Sequence, residues 1–212
     1  MRLRSLLTLI AVSMIGSIAC GSDESEDPAQ EPPSANGLLQ AMIQLDDLPA
    51  GWYEVPASAE PPGPDSEGIC DAPLDAGLAE DIVSIGFAAS ERGPTIMQAA
   101  GTRDAEELQR LLKEADRALS SCDSWETELS DGTPMHFAAE RLPFTDVGDE
   151  SLAFRLSPSA DSIPLIWDIV FVRRRDVASV YFALSTPSAQ TDLKLFEAVV
   201  VKSDDRLAQL LE

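Results

Sequence analysis

The sequence predicts an α+β domain: an antiparallel sheet of about five to seven strands with helices packed on one face, and one disulfide. Three observations favour this class. Two long stretches repeat their apolar residues at helical spacing, whereas most segments between them alternate apolar and polar residues as strands do. The breaks between the strand-like segments are short, and such links can join only antiparallel neighbours. Helices beside an antiparallel sheet define the α+β class.

Helical periodicity is clearest in residues 104–121, where apolar side chains recur three and four positions apart. The acidic residues Glu106 and Glu107 suit the first turn of this helix, because its backbone amides point toward them. A shorter amphipathic helix is expected over residues 38–45. The chain becomes helical again from Thr191 onward.

Strands are expected wherever the apolar pattern has a period of two. The last hairpin can be registered by placing its turn at Arg174 and Arg175. One face would then pair Phe171 with Ala178, Ile169 with Val180 and Trp167 with Phe182, and the other would pair Val170 with Ser179 and Asp168 with Tyr181. The expected strands are 82–88, 95–100, 125–129, 135–142, 152–157, 165–173 and 177–185.

The first 19 residues have the layout of a secretory signal peptide. Arg2 and Arg4 form a basic start, and residues 5–19 carry no charge. This run of about 15 residues is shorter than the roughly 20 that span a bilayer. Residues 17–20, Ser-Ile-Ala-Cys, resemble the lipobox of bacterial lipoproteins, although the family usually has an aliphatic residue where Ser17 stands. The resemblance implies lipid attachment at Cys20 and an extracytoplasmic, membrane-anchored protein. The alternative is an ordinary signal peptide with a chance cysteine.

Composition divides the rest of the chain into a tether, residues 20–35, and a domain, residues 36–212. The tether is acidic and proline-rich and has no large apolar residue, so it cannot bury enough surface to fold. The net charge of −22 argues against nucleic acid and against flat binding to anionic lipid, since both need basic patches. Arginine exceeds lysine by 12 to 3, a bias typical of high-GC genomes such as those of actinobacteria.

Two further cysteines, Cys70 and Cys122, remain once Cys20 is assigned to lipid. In an oxidising compartment the expected outcome is a disulfide between them, and two free buried thiols are the alternative. A metal site is not expected, because two cysteines and the single His136 cannot fill the usual four positions. We expect no cofactor either.

Six short motifs occur in order along the domain: residues 48–52 (Leu-Pro-Ala-Gly-Trp), Cys70, residues 121–125 (Ser-Cys-Asp-Ser-Trp), 148–151 (Gly-Asp-Glu-Ser), the hairpin 170–177 and residues 206–211. Together they resemble the PknH-like extracellular sensor domain of mycobacterial receptor kinases and actinobacterial lipoproteins. The resemblance covers residues 36–212 and implies an extracytoplasmic α+β domain whose cleft binds an unidentified ligand. The kinase sensors carry two disulfides where this chain can form one, and their Gly-Asn hairpin turn is replaced by residues 174–176, Arg-Arg-Asp.

No motif of a serine hydrolase, phosphate loop, zinc protease or EF-hand is present, so no catalytic residue is predicted. His136 lies in a strand-like run, where a structural histidine is the expected state. A non-enzymatic binding or sensor domain for a small molecule, lipid or glycan is therefore favoured. A hydrolase of envelope lipid or glycan would instead need two facing carboxylates, and a structural partner of another envelope protein would need an exposed apolar patch.

One group of residues is predicted to contact a ligand. Asp168 interrupts an apolar strand, Tyr181 is its expected register partner, and Arg155 points the same way on a neighbouring strand. If this face lines a cleft, the three side chains would orient a polar ligand group. An ordinary ion pair on a solvated sheet face is the alternative.

Overall fold

The structure is a computed structural model that describes residues 32–57, 70, 80–128, 134–158 and 164–212. The signal peptide, Cys20 and the tether up to residue 31 lie outside these described residues, as does most of the proline-rich stretch after residue 57. The elements in chain order are α1 (Ala35–Ala41), a short 3-10 helix (Leu45–Asp47), β1 (Tyr53–Val55), β2 (Glu80–Ala88), β3 (Thr95–Thr102), α2 (Ala105–Ser120), β4 (Ser124–Glu128), β5 (Pro134–Arg141), β6 (Glu150–Pro158), β7 (Ile166–Arg174), β8 (Val177–Ser185) and α3 (Leu193–Leu210).

The helices begin at polar caps. The Asp104 side chain accepts a hydrogen bond of 2.9 Å from the backbone N–H of Glu107, and the Asp192 side chain caps α3 in the same way. The α1 helix starts one residue inside the segment predicted as tether, because Ser34 caps it through the N–H of Gly37. No helix among the described residues is long and apolar enough to cross a bilayer.

All the described strands form one antiparallel sheet in the order β1-β2-β3-β8-β7-β6-β5-β4. The α+β class is confirmed, but the sheet has eight described strands instead of the expected five to seven. The additional strand is β1, which pairs with the end of β2. Its three residues are too few to show a period, and Tyr53 and Glu54 are exposed, so no apolar pattern marks it.

The prediction that helices cover one face of the sheet was wrong. The α2 helix packs on the face that carries Phe154, Ile169 and Phe171. The α3 helix packs on the opposite face, against Val170 and Tyr181. We call these the α2 face and the α3 face. The side chains on both faces of β7 and β8 are apolar, so each face of the sheet is buried by a helix of its own.

The predicted hairpin register was wrong by two residues. Phe171 pairs with Val180 and Val170 with Tyr181, and the turn lies at Arg175 and Asp176. Arg175 takes a left-handed φ of 53°, which is uncommon for a residue other than glycine. Because Tyr181 rather than Ser179 stands beside Val170, the α3 face is more apolar here than the sequence implied.

Candidate ligand-binding site

The predicted pair Arg155 and Asp168 comes together on the α3 face. The two residues are register partners on β6 and β7. The guanidinium donates two hydrogen bonds to the carboxylate, 2.5 Å from Nε to Oδ1 and 2.8 Å from Nη2 to Oδ2. The Asp168 side chain is 2% exposed and the Arg155 side chain 28% exposed. The hydrogen bonds to Asp168 raise the pKa of Arg155, against the effect of its partial burial.

Tyr181 lies on the same face but away from solvent. Its register partners are Val170 and Gln98, so the predicted pairing with Asp168 was wrong; Asp168 faces Ala183. The Tyr181 hydroxyl donates a 3.2 Å hydrogen bond to Ser203 Oγ on α3. Burial raises the pKa of Tyr181 to about 12. Of the three predicted residues, Arg155 is therefore the one that reaches solvent.

The part of the α3 face on β4, β5 and β6 is open to solvent and charged. Glu126 and Glu140 are exposed, and the His136 ring nitrogen Nδ1 lies 3.0 Å from Glu126 Oε1. Glu140 is the cross-strand neighbour of Arg155. We call Glu126, His136, Glu140 and Arg155 the charged rows. Arg155 and His136 each have an acidic partner there, as in an ordinary solvated sheet surface.

A pocket of about 380 Å³ lies at one end of β3 and β8. Its apolar floor consists of Met97, Leu165 and Leu184, which also pack against the core of the α2 face. The α2 helix lies over β5, β6 and β7, so it leaves this end of the α2 face uncovered. The volume is within the range of about 300–1,000 Å³ that small-molecule sites occupy.

The pocket rim is polar and includes a tight turn between β2 and β3. The Gly93 N–H donates to the Ser90 carbonyl at 3.1 Å, and Ser90 Oγ donates to the Gly93 carbonyl at 2.7 Å. This turn holds the exposed residues Glu91 and Arg92 at the rim. Across the described residues, neither side chain forms an ion pair or a hydrogen bond. Thr95 and Thr186 add neutral polar groups to the lining, and the buried residue Ser185 completes it.

The pocket offers binding groups but no described catalytic arrangement. Glu91 is the single carboxylate among the described residues that line it. The described part of the chain also has no group of three His, Cys, Asp or Glu side chains placed to hold a metal ion. The pair of facing acids that a glycosidase needs is therefore not found in the lining. The chemistry available is an apolar surface with two opposite charges and several hydroxyl groups.

Sequence reasoning missed this pocket. Its floor combines Met97 from β3 with Leu165 and Leu184, which lie about 70 and 90 positions further along the chain. The pairing of β3 with β8 brings Met97 near Leu184, and the pairing of β7 with β8 adds Leu165. One local signal was available, namely the run Ser90 to Gly93, whose charged pair lies between two predicted strands.

The predicted disulfide is confirmed. Cys70 and Cys122 are bonded, with their Cα atoms 5.9 Å apart. Both residues pack against the core beneath α2, and Cys122 directly follows that helix. The bond therefore fastens the end of α2 to the segment between β1 and β2.

Comparison with known proteins identifies the fold but no family. No family model matches the chain, and no curated protein matches it. Among solved structures, the extracellular domain of PknH from Mycobacterium tuberculosis superposes with a TM-score of 0.62, covering 84% of this chain and 98% of that one at 9% identity. A second match, a STAR-related lipid transfer protein fragment from Xanthomonas axonopodis, covers 76% of this chain and 96% of that one at 14% identity. Its TM-score of 0.29 is too low to indicate a shared fold.

The likeness to the PknH extracellular domain is one of fold, because so low an identity shows nothing finer. The fold implied by the motif resemblance is thereby supported, and membership of the PknH-like family stays a prediction.

Proposed function

We propose that this chain is a lipid-anchored extracytoplasmic lipoprotein whose domain binds a small molecule, lipid or glycan without catalysing a reaction. Cys20 carries the anchor, and the pocket at the ends of β3 and β8 receives the ligand. The observation that carries the binding role is the pocket itself, an apolar floor open beneath a polar rim. The fold shared with an extracellular domain agrees with this location.

The pocket is a better candidate than the residues first predicted from the sequence. Arg155 already shares two hydrogen bonds with Asp168, and Tyr181 is sealed beneath α3. A ligand at the charged rows would have to compete with these contacts. At the pocket, in contrast, the ligand meets an apolar floor and two charged side chains with no described partner. Ligand contact by Arg155 is therefore the weaker proposal.

Native mass spectrometry of the full-length protein, purified from the envelope of its own host, tests the proposal. We expect a bound mass that disappears on denaturation. The variant Thr95→Trp fills the pocket and should lose this mass, and Thr186→Trp serves if Thr95→Trp does not fold. Ala138→Trp is the matched control, because Ala138 is exposed on the opposite face, among the charged rows. A bare wild-type mass, or equal retention in both pocket variants, would overturn the proposal.

The anchor is tested separately by Cys20→Ala. This variant should leave the membrane fraction and lose the mass of the lipid, because no thiol remains to carry the diacylglyceryl group. Unchanged membrane association with no lipid mass on wild-type Cys20 would contradict a lipid anchor and leave the binding role standing.

An envelope-protein partner is the second candidate function. Five large apolar side chains are exposed among the described residues. Leu210 lies against Gly37 of α1, and Leu39 belongs to the same helix, so part of this apolar surface lies where α1 meets α3. A crosslinked partner that is lost in Leu39→Asp would favour this role. The exposed residues are Leu39, Leu45, Tyr53, Ile82 and Leu210.

A further inference from the structure

We infer that the pocket selects an amphipathic zwitterion, a ligand with an apolar body and a head that carries one positive and one negative charge. The inference rests on the proposed function, since it names the ligand class for the same pocket. Three observations carry it: the apolar floor, the two opposite charges on one turn, and the lack of a described partner for either charge.

Glu91 and Arg92 both belong to the turn between β2 and β3, and both line the pocket. Residues Ser90 to Gly93 are closed by hydrogen bonds between Ser90 and Gly93, and the Arg92 N–H donates to Ser90 Oγ at 3.3 Å. Glu91 and Arg92 are therefore presented by one backbone turn rather than by separate mobile loops. Most of the other described arginines have an acidic partner, as Arg155 does at Asp168 and Arg206 at Asp47.

A ligand with a single charge gains little binding free energy from these two charged residues. An anion attracted by Arg92 is also repelled by the adjacent residue Glu91, and for a cation the two effects are reversed. These contributions largely cancel for either ion. A head with both charges can place its cationic group beside Glu91 and its anionic group beside Arg92, so that both contributions are favourable.

The floor accepts the rest of the ligand. Met97 is unbranched and adapts its shape to an irregular apolar group, and Leu165 and Leu184 supply further apolar surface. The Thr95 hydroxyl and the Thr186 hydroxyl, which lies 3.1 Å from Ser188 Oγ, can bond the polar atoms between head and body. Amphipathic amino acids and phosphoethanolamine lipids share this combination of groups.

The test uses the mature chain from residue 20 onward with Cys20→Ser, which lacks both the signal segment and the anchor, and measures binding by calorimetry. The probes share one decyl chain: decanol, decanoate, decylammonium and α-aminodecanoate. Exposed ion pairs contribute about threefold each, so α-aminodecanoate should bind about tenfold more tightly than decanol. Decanoate and decylammonium should bind about as decanol does. Decanoyl-lysophosphatidylethanolamine, compared with α-aminodecanoate, distinguishes a lipid headgroup from a free amino acid as the source of the zwitterion.

Charge variants give the second readout. Glu91→Gln should weaken α-aminodecanoate about threefold or more and strengthen decanoate, whereas Arg92→Gln should weaken α-aminodecanoate and strengthen decylammonium. Glu54→Gln and Arg117→Gln are matched controls, because both residues are exposed and lie away from the pocket. Neither control should change the affinity for any probe.

The outcomes separate this inference from the proposed function. Equal binding of all decyl probes, or a preference for one singly charged probe, would overturn zwitterion selection while leaving the pocket as a binding site. Absence of binding by every probe, together with a bare native mass for the wild-type protein, would overturn both.

Discussion

The charged rows and the pocket, which lie on opposite faces of the sheet, differ in how their charges are arranged. In the charged rows on the α3 face, Arg155 is bonded to Asp168 and His136 lies beside Glu126. At the pocket on the α2 face, Glu91 and Arg92 have no described partner and stand above an apolar floor. Arg155 is paired within the protein by Asp168, whereas the two charged residues at the pocket have no described partner.

The difference shows why a charged residue in a strand is a poor guide to a binding site. Asp168 attracted notice because it interrupts an apolar strand, yet its carboxylate needs Arg155 simply to be buried. Charges that need no partner, because they are solvated at a rim, are free to meet a ligand. The comparison therefore predicts large stability effects away from the pocket and small ones at its rim.

The largest expected effect tests what holds the α2 side together. Replacing both disulfide cysteines, Cys70→Ser with Cys122→Ser, should lower the free energy of unfolding by about 4 kcal/mol, because the bond closes a loop across a sequence separation of 52. Urea denaturation measures this loss. Adding a reductant to the wild-type protein should reproduce it, and a change below about 1 kcal/mol would contradict the structural role.

The next effect tests the charged rows. Arg155→Gln should destabilise the fold by about 3 kcal/mol, since it leaves the buried Asp168 carboxylate without its partner. Asp168→Asn should cost only about 1 kcal/mol, because the unpaired Arg155 can still reach water. Urea denaturation at neutral pH would measure the loss of stability in each variant. If both variants lost the same free energy of unfolding, Arg155 and Asp168 would be equally buried, which would contradict the expectation.

A smaller effect on stability is expected from Tyr181, the buried tyrosine beneath α3. Its pKa is about 12 in the folded protein and 10.0 for an unperturbed tyrosine, because burial disfavours the charged phenolate. A raised pKa contributes stability that is fully present below pH 10 and is lost as the pH rises toward 12. Tyr181→Phe should lose about 1 kcal/mol at neutral pH and flatten this alkaline decline.

Absorbance of tyrosinate during an alkaline titration checks the assignment of that decline. In the wild-type protein the ionisation of Tyr181 should coincide with unfolding. An alkaline decline that persists unchanged in Tyr181→Phe would assign it to another group.

The smallest expected effect is at the pocket rim. Glu91→Gln and Arg92→Gln should each change the free energy of unfolding by no more than about 0.5 kcal/mol, since both side chains are exposed and have no described partner. Urea denaturation of the two variants beside Arg155→Gln gives the contrast directly. A loss of 2 kcal/mol or more, on the order of a buried contact, would place these charges in a structural role.

The sequence predicted the helices and strands better than the register between neighbouring strands. The α2 helix, the later hairpins and the Cys70–Cys122 bond followed from local periodicity and from the redox compartment. The register of β7 and β8 did not, because a shift of two residues keeps Ile169 and Phe171 on the same face and leaves the apolar pattern unchanged. No glycine fixes the turn at Arg175. The pocket was beyond sequence reasoning, since its floor exists only after β3 has paired with β8.

The strand order has a consequence for how the domain is made. The hairpin of β2 and β3 gains its central neighbour only when β8, some 75 positions after the end of β3, is available. Pairing of such distant strands loses loop-closure entropy before the stabilising contacts form, so folding is slow compared with that of helical domains. Until β8 arrives, β3 and β7 each present an unpaired edge that can join another chain. A chain that ends before residue 177 should therefore aggregate rather than form half of the sheet.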